Sequence, residues 1–351
     1  MPGRGHAIAP GVRGRSAVPD TGRVFAYGAA LGLLADRVFG DPRRGHPVAV
    51  FGRGASAVER VLWRDHRGWG ALHTVVCAGA AAGGAVLAAR TVRSSAAGAV
   101  ALTAAATWAV VGGTSLEREA RAIGAALAAG DLDGARARLP HLCGRDPYAL
   151  DEAGIARAVV ESVAENTSDA VVGALVWGAL AGAPGLAGFR AVNTLDAMVG
   201  HKSPRYHRFG WASARLDDAA GWPGARLTAA LAVLAGPDRR GALRAVRRDA
   251  RRHPSPNAGP VEASFAGALG VRLGGTLAYG GRVEHRPVLN APGRPVAVPD
   301  IERAVRLARR VDALALAVCV AGRLGYGAVR GRVWDGVRGR VRGRKGWGWP
   351  G

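Results

Sequence analysis

The length of 351 residues fits about two domains or one helical bundle. The three cysteines are far apart and lack CxxC spacing, which argues against a disulfide framework and against a zinc site. A formal charge of +22 with 49% hydrophobic residues fits either a nucleic-acid-binding protein or the basic cytoplasmic loops of a membrane protein. RNP, zinc-finger and basic-zipper motifs are absent from the sequence, and aromatic residues do not interleave with the basic runs. The membrane protein is therefore favoured, and no nucleic-acid partner is expected.

Residues 1–23 are rich in Gly, Arg and Pro and predict a disordered basic leader. Residues 40–53 then predict a turn that leads into a helix, with His46 in a turn hydrogen bond. Residues 71–89 and 96–113 are nearly free of charge and are close to the length that spans a hydrocarbon core. Their short connection predicts a hairpin, and the loops on either side of it, residues 37–70 and 114–169, carry seven and six arginines and are expected in the cytoplasm.

Residues 116–139 predict an amphipathic helix of mixed charge, and Asp151 is expected to cap the next helix. Residues 170–188 are apolar but contain the sequence Gly-Ala-Pro-Gly at positions 182–185. That sequence predicts a broken helix or a re-entrant pair. Residues 225–235 are apolar but too short to span a membrane.

The C-terminal third alternates between basic and turn-rich segments. Residues 239–253 predict a basic helix at the membrane surface, and residues 254–300 are rich in Gly and Pro. A further helix is expected to start at Ile301 and to run into an apolar segment. The resulting domain prediction is a leader (1–23), a single membrane-embedded helical domain (24–329) and a basic Gly/Arg/Trp tail (330–351).

A concentration of polar residues in an apolar setting marks residues 157–218. On a helix, Arg157, Glu161, Glu165 and Asp169 are spaced four residues apart and share one face. Carboxylates this close repel one another unless a cation or a donor-rich ligand neutralises them. Mg²⁺ held together with phosphate oxygens is the natural ligand. The alternative is a solvated helix face with an Arg157–Glu161 ion pair.

The same stretch continues with Asn193 and Asp196, one helical turn apart, and with a basic segment that follows them. Lys202 and Arg205 in that segment are suited to a phosphate or a carboxylate, although no GxxxxGK[ST] motif is present. Acidic residues and Arg215 close the stretch. The alternative is an interhelical salt bridge.

The segment from residue 253 to residue 275 begins HPSPNAGPVE and predicts a turn followed by a helix. Asn257 lies in the turn, and Glu262 is expected near the start of the helix. Free backbone amides at a helix start can bind anions, and the alternative is simple capping.

Six segments together resemble the adenosylcobinamide-phosphate synthase family of cobalamin biosynthesis, the CobD/CbiB membrane proteins. They follow the order of that family and lie between Asp36 and Pro287: GDPRRGHPV, GRDPYALDE, ESVAENTSDAVVGAL, AVNTLDAMVGHKSPRYHRFGWASARLDD, HPSPNAGPVEASFAGALGVRLGG and YGGRVEHRP. The leader and the tail lie outside the resemblance.

The resemblance implies a mainly α, polytopic integral protein of the cytoplasmic membrane, whose cytoplasmic loops form the active site. It implies an ATP-dependent ligase that joins the propionate carboxylate of adenosylcobyric acid to the amine of (R)-1-aminopropan-2-yl phosphate, or of a related amino alcohol. The product is adenosylcobinamide phosphate. Mg²⁺ is then the expected cofactor and ATP the co-substrate. The lipid membrane and other corrinoid-pathway enzymes are expected partners.

Site residues are assigned within the matching segments. The expected catalytic residues are Glu161, Glu165, Asn166 and Asp196, with Mg²⁺ at Glu165 and Asp169. The residues expected to bind substrate carry amide, basic, phenolic, acidic or imidazole groups and are Asn193, Lys202, Arg205, Tyr206, Arg215, Asp217, Asp218, His253, Asn257 and Glu262.

A second class of function stays open on the sequence. The buried polar stripe also fits a non-enzymatic membrane sensor or transporter, related to membrane proteins linked to β-lactamase regulation. A ligase consumes ATP only when the corrinoid and the amino alcohol phosphate are both present, whereas a sensor or transporter forms no amide.

Overall fold

The computed structural model describes residues 20–42, 45–201, 203–279 and 282–343. Within them the chain is mainly helical, as predicted, with one antiparallel pair of strands, β1 (Leu273–Tyr279) and β2 (Arg282–Leu289). The helices in chain order are α1 (Thr21–Phe39), α2 (Pro47–Leu62), α3 (Arg67–Thr91), α4 (Ala96–Val110), α5 (Gly113–Ala128), α6 (Leu132–Arg138), α7 (Glu152–Asn166), α8 (Gly173–Ala181), α9 (Ala183–Leu195), α10 (Trp211–Ala235), α11 (Arg239–Asp249), α12 (Ala258–Leu269) and α13 (Pro299–Gly343).

Small residues let α1 and α4 pack closely. Gly28 and Gly32 on α1 face Thr103 and Thr107 on α4, and a Cβ atom at either glycine would come within 2.5 Å of the threonine Cβ. The missing side chains therefore bring the two backbones together, which is the packing typical of membrane helices. Because α1 begins at Thr21, the last residues of the predicted leader belong to this helix, and residues 1–19 lie outside the described residues.

The two apolar segments predicted as membrane spans are the helices α3 and α4, joined by residues 92–95. Each has its own principal partner, since α3 packs mainly against α9 and α4 mainly against α1. The predicted hairpin is therefore splayed.

Among the described residues, three helical stretches are long and apolar enough to cross a membrane. They are Arg67–Thr91, Ala96–Ala128 and Pro299–Val329, with mean hydropathies of 1.7, 1.5 and 1.4 in their most apolar windows. At most 28% of each window is buried inside the protein. Apolar surface left exposed on this scale marks contact with lipid or a partner. The number of crossings stays a prediction.

One long helix carries the predicted acidic face. α7 continues without interruption into a π-helical segment, Thr167–Val172, and then into α8. Asp151 caps the start as predicted, because its Oδ1 accepts a hydrogen bond of 2.8 Å from the N–H of Gly154. A π turn holds one residue more than an α turn, so it rotates the side chains that follow it around the helix axis.

The chain reverses at Gly182, where φ is 66°, and α9 packs back against α8. The predicted break at residues 182–185 is thus confirmed. Pro184 occupies the first turn of α9, where a missing N–H costs no helical hydrogen bond. The interruption lets an apolar segment fold into a tight pair of helices instead of one rod.

Two predicted segments have different boundaries in the structure. The amphipathic helix expected at residues 116–139 is two helices, α5 and α6, separated by a turn at Gly130 with φ of 75°. The short segment 225–235 is the second half of the 25-residue helix α10. A left-handed glycine and the packing of a whole helix are not visible in hydrophobic periodicity alone.

The C-terminal region packs around α10 and α13. α11 pairs with α12, the strands β1 and β2 follow α12, and α13 contacts α1, α7 and α10. The helix expected from Ile301 onwards is confirmed as part of α13. This helix continues to Gly343, so the predicted boundary of the tail at residue 330 falls inside it. Residues 344–351 lie outside the described residues.

The reversal at Gly182 predicts a sharp effect of one added methyl group. A Cβ at position 185 would lie 2.1 Å from the carbonyl oxygen of Trp177. Since overpacking costs about 1–3 kcal/mol, we expect Gly185→Ala to lower the unfolding temperature of the detergent-solubilised protein. Gly188→Ala in the same helix is the control, because its Cβ would make an ordinary contact of 3.5 Å with Ala82. Equal unfolding temperatures for the two variants would contradict the tight reversal.

Candidate functional site

Acidic residues from α7 and from two π-helical segments lie next to α10, which carries another acidic residue. Asp169 lies in the π-helical segment after α7, and Asp196 begins a second π-helical segment, Asp196–Gly200, directly after α9. Both π-helical segments pack against α10, which carries Asp217. π turns occur frequently at functional sites, and here each of the two supplies a carboxylate. Together with Glu165, one turn before Asp169, these residues are called the acidic cluster below.

The members of the acidic cluster act on one another electrostatically. Burial raises the pKa of Asp169 well above its ordinary value, and the charges of Asp217, Glu165 and Asp196 raise it further. Burial also raises the pKa of Asp217 to about 7, with a further increase from Asp196. A hydrogen bond of 3.4 Å from Nδ2 of Asn193 to Oδ1 of Asp217 opposes this rise. Like charges held this close attract a cation or a proton.

One edge of the acidic cluster carries charged and aromatic groups. Burial raises the pKa of Asp218, whereas the exposed guanidinium of Arg215 opposes the rise. The pKa of Asp196 is raised mainly by burial, and His201 opposes that rise. The ring of His201 lies edge-on to the ring of Tyr206, with 4.9 Å between the centroids. The expected residues Arg215, Asp218 and Tyr206 therefore lie beside the cluster.

A half-buried arginine that the sequence analysis did not select faces the same acids. Arg190, one turn before Asn193, donates from Nη1 to its Oδ1 at 3.4 Å. Burial lowers the pKa of Arg190, whereas Asp41 and Asp169 raise it. Its Nε is buried and has no hydrogen-bond partner among the described residues. The available signal was its position as the single charged residue between Asp169 and Asp196.

The loop before α2 also reaches this region. His46 caps α2, because its Nδ1 accepts a hydrogen bond of 3.1 Å from the N–H of Val48. Its Nε2 lies 3.3 Å from Oδ1 of Asp41, the residue that acts on Arg190. The predicted turn hydrogen bond of His46 is thus confirmed, and the loop contributes a carboxylate that the site assignment omitted.

Glu161 is buried and both of its carboxylate oxygens are engaged. Oε2 accepts a hydrogen bond from Nη2 of Arg145, and Oε1 accepts one of 2.7 Å from the N–H of Gly274. The structure therefore pairs Glu161 with an arginine from the loop before α7. In this position Glu161 anchors β1 to α7.

A chain of acid and imidazole groups connects α12 to Glu165. His253 and Glu262 are buried, with 3.5 Å between Nε2 of the histidine and Oε1 of the glutamate. Burial raises the pKa of Glu262 well above its ordinary value, and the charges of Glu165 and Glu161 and a hydrogen bond with Glu165 add to the rise. Burial also lowers the pKa of His253. Both groups are therefore driven towards their neutral forms.

Glu165 joins the two polar groups into one surface. It is a neighbour of Glu262 on one side and acts on the pKa of Asp169 on the other. A continuous line of ionisable groups thus runs from His253 through Glu165 to Asp217. The structure brings together residues predicted separately on residues 157–218 and on residues 253–275.

Two amide side chains have structural partners. Nδ2 of Asn166 donates to the carbonyl of Ser162 at 2.9 Å. Asn257 accepts from Nη1 of Arg226 at 3.0 Å and donates to the carbonyl of Asp218 at 2.9 Å. Oγ of Ser255 takes the capping role at α12, since it accepts from the N–H groups of residues 257 and 258. Asn257 therefore ties α12 to α10 next to the acidic cluster.

Arg205 and Tyr206 meet on a carboxylate of α2. Nη2 of Arg205 and the hydroxyl of Tyr206 both donate to Oε1 of Glu59, at 3.1 and 2.9 Å. The guanidinium of Arg205 also stacks on Trp63, 4.6 Å from the ring centroid. Phosphate binding by Arg205 stays a prediction, and Lys202 lies outside the described residues.

The donor set of the acidic cluster fits Mg²⁺ together with phosphate better than a metal held by protein alone. Among the described residues, no group of three or more His, Cys, Asp and Glu side chains is arranged to hold a metal ion. Mg²⁺ commonly takes one or two carboxylates and completes its octahedron with water and substrate phosphates. Asp169 and Glu165, which repel each other, supply two such carboxylates. The residues therefore fit the predicted magnesium site, which stays a prediction.

The pKa of Asp217 predicts a pH-dependent stability. An aspartate in the unfolded chain has a pKa of about 3.9, so this group contributes stability that is complete below that pH. The contribution is lost as the pH rises through the folded pKa of about 7. We expect Asp217→Asn to abolish this loss and therefore to raise the unfolding temperature relative to wild type more at pH 8 than at pH 5.

The matched control is Asp133→Asn, because the side chain of Asp133 is 90% exposed. Its difference in unfolding temperature from wild type is expected to stay constant between pH 5 and pH 8. A constant difference for Asp217→Asn as well would contradict the raised pKa.

The chain is similar in sequence to proteins named for cobalamin biosynthesis. A relative from Mycobacterium tuberculosis (strain ATCC 25618 / H37Rv), "Cobalamin biosynthesis protein CobD", is 53% identical over 306 residues, covering 86% of this chain and 96% of the relative. A protein of the same name from Chromobacterium violaceum is 44% identical over 304 residues, covering 85% and 97%. Another from Rhodobacter capsulatus is 48% identical over 206 residues, covering 59% and 66%. No solved structure matches the chain.

A family model described as "CobD/Cbib protein" matches residues 29–308. The match includes α1 from its middle onwards, both π-helical segments, α10, α12 and the first turns of α13. Every expected site residue lies within it. The chain belongs to the CobD/Cbib family.

Proposed function

We propose that this chain acts in cobalamin biosynthesis as an ATP-dependent amide ligase of the cytoplasmic membrane. The reaction joins the propionate carboxylate of adenosylcobyric acid to the amine of (R)-1-aminopropan-2-yl phosphate and gives adenosylcobinamide phosphate. The names of the relatives and the family match support the pathway. The continuous line of ionisable groups from His253 through Glu165 to Asp217 supports the chemistry, and it is the observation on which the proposal depends.

Carboxylate activation is the first requirement of the reaction. A carboxylate oxygen of the corrinoid attacks the γ-phosphorus of ATP, ADP leaves, and an acyl phosphate forms. When bound, Mg²⁺ supplies charge neutralisation to the phosphate oxygens. Asp169, Asp196 and Glu165 are the residues of this chain that hold it in the proposal.

Basic residues near the acidic cluster bind the phosphate groups. Arg190 fits this role best, because its buried Nε has no hydrogen-bond partner among the described residues and its guanidinium faces the cluster. A planar guanidinium binds phosphate oxygens in pairs. Arg215, exposed at the edge of the cluster, supplies a second cation for a phosphate tail that extends towards solvent.

Amide formation is the second requirement. The neutral amine attacks the acyl carbon, phosphate leaves with the bonding electron pair, and the nitrogen loses a proton to a base. Asp217 is suited to take this proton, because a general base works best when its pKa lies near the operating pH. Asn193 orients the carboxylate of Asp217 through its hydrogen bond of 3.4 Å.

Positioning roles are assigned to the groups whose polar atoms are already engaged. Glu161 holds Arg145 and the start of β1, so we assign it to the support of the site instead of to proton transfer. The buried pair of His253 and Glu262 holds Glu165 from the side opposite Asp169. Asn166 and Asn257 hold neighbouring backbone segments.

The membrane setting suits the proposed substrates. The exposed apolar spans hold the protein in the bilayer, while residues 37–70 and residues 114–169, which carry seven and six arginines, are expected on the cytoplasmic side. Other enzymes that hand corrinoids to this one are then potential partners at the same surface. The family match favours this biosynthetic role over a sensor or a transporter.

The proposed reaction predicts that product formation requires three substrates. With purified protein in detergent, sustained ADP release and a corrinoid amide detected by mass spectrometry are expected only when ATP, adenosylcobyric acid and the amino alcohol phosphate are all present. Glu165→Gln and Asp196→Asn are expected to lower kcat by at least about 100-fold, because each removes a charge from the acidic cluster. Asp133→Asn is the surface control with unchanged kcat. Full rates in both cluster variants would contradict the site assignment. Wild-type protein that forms no corrinoid amide would contradict the function.

The base assignment predicts a specific change in the pH profile. For wild type, kcat/KM is expected to rise with pH through an ionisation of about 7, the pKa of Asp217. Asp217→Asn is expected to remove this limb and to lower kcat by about 10²–10⁴-fold. Asp218→Asn is the neighbouring control and keeps the limb. A limb that persists in Asp217→Asn would assign the base to another residue.

A further inference from the structure

A second buried acidic site lies between α1, α5 and α13, away from the acidic cluster. It is a cavity of about 260 Å³. Its apolar walls include Leu33 of α1, Leu316 of α13 and Val171 of the π-helical segment that follows α7. Asp36 from α1 and Asp312 from α13 also line it. Neither aspartate has a role in the reaction proposed above.

Each of these two aspartates has an oxygen without a partner. Asp36 is 3% exposed and Asp312 is 9% exposed, and Oδ1 of each is buried without a hydrogen-bond partner among the described residues. Oδ2 of Asp36 accepts from the N–H and the hydroxyl of Thr114, at 3.0 and 2.8 Å. A Cβ atom at Gly113 would lie 3.7 Å from Oδ2 of Asp36 and 3.9 Å from Oδ2 of Asp312, so the two carboxylates flank that glycine.

The third acid beside the cavity is neutralised by arginines. Glu117 lies 2.5 Å from Arg309, 3.4 Å from Arg121 and 3.9 Å from Arg37. Within the described part of the chain, none of these arginines forms an ion pair with either aspartate. Arg37 also lines the cavity and partly offsets the charge of both aspartates without an ion pair to either. Because a buried carboxylate without a paired counter-charge is costly, the pair still favours a further positive charge.

We propose that Asp36 and Asp312 bind a compact monovalent cation, either an inorganic ion or a small protonated amine. The hydroxyl of Thr114 offers a further oxygen ligand. Two carboxylates that share one proton carry a single negative charge, which a single positive charge neutralises. The cavity is larger than a bare ion, which leaves room for water or for the carbon atoms of an amine.

Cation binding at this site joins three helices. α1, α5 and α13 each contribute a ligand or a wall, and α13 contains one of the candidate membrane spans. A ligand that binds only the folded state stabilises it in proportion to the logarithm of its concentration above Kd. Val171, in the π-helical segment that also carries Asp169, forms part of the wall, so an occupied site also stiffens the support of the acidic cluster.

The test is the unfolding temperature of the full chain in detergent at pH 7, with no ATP or corrinoid present. The probes are Na⁺, K⁺, NH₄⁺ and protonated 2-aminoethanol, each as the chloride, compared at equal ionic strength with the bulky N-methylglucammonium ion. At least one compact cation is expected to raise the unfolding temperature with saturation. The inorganic salts and 2-aminoethanol form separate arms, and their relative effects identify the source of the cation.

Asp312→Asn and Asp36→Asn are expected to abolish the cation-specific increase, whereas Asp133→Asn keeps it. An increase that survives in both cavity variants would overturn the proposal. So would wild-type protein that does not distinguish any compact cation from N-methylglucammonium, a comparison that decides even where the variants fail to fold. An unfolding temperature that follows pH and ignores the cation would show that the pair is neutralised by protons instead.

Discussion

The reversal of the chain at Gly182 is the constraint on which the candidate site depends. Without it, the apolar residues 170–188 would continue as one rod, and Asn193 and Asp196 would lie far along the axis from Asp169. The glycine adopts a φ of 66° and α9 returns along α8, so both π-helical segments meet α10. Local backbone geometry thus brings together carboxylates that are 27 or more residues apart in sequence.

The cost of this arrangement is electrostatic, and the surrounding core offsets it. Burial and mutual repulsion disfavour ionisation of Asp169 and Asp217. The helix that carries Asp169 packs through a row of buried apolar side chains against α5, α10, α12 and α13. Since packing energy is spread over the whole helix, the protein tolerates a few destabilising groups where chemistry is required. The ion pair of Glu161 with Arg145 lies outside this conflict and holds the adjacent strand.

The sequence supported the elements that depend on local chemistry. The cap at Asp151 and the break at residues 182–185 follow from rules that involve only a few neighbouring residues, and the structure has both of them. The concentration of polar residues between 157 and 218 also identified the elements that meet at α10.

Long-range partners were beyond the reach of sequence patterns. Glu161 and Glu165 look equivalent on a helix, yet Glu161 accepts hydrogen bonds from Arg145 and from the N–H of Gly274, 113 residues away, whereas Glu165 is the neighbour of Glu262. In the sequence Arg205 looks like a free phosphate ligand. In the structure it donates to Glu59, 146 residues earlier in the chain. The π-helical segments likewise have no signature in the local sequence, and both of them pack against α10.

The two signs of charge in this molecule act at different distances. An excess of arginine gives the chain its charge of +22, and such a field attracts phosphate-bearing ligands from afar. At short range the acidic cluster repels the same phosphates, so a nucleotide gains most there when its charge is already shared with a divalent cation. Arg190 is a positive charge next to the acidic cluster. Asp41 and Asp169 act on it, and its Nε has no hydrogen-bond partner among the described residues. An acidic cluster in a chain of positive net charge is therefore suited to metal-bound phosphate more than to free phosphate, as the proposed ligase requires.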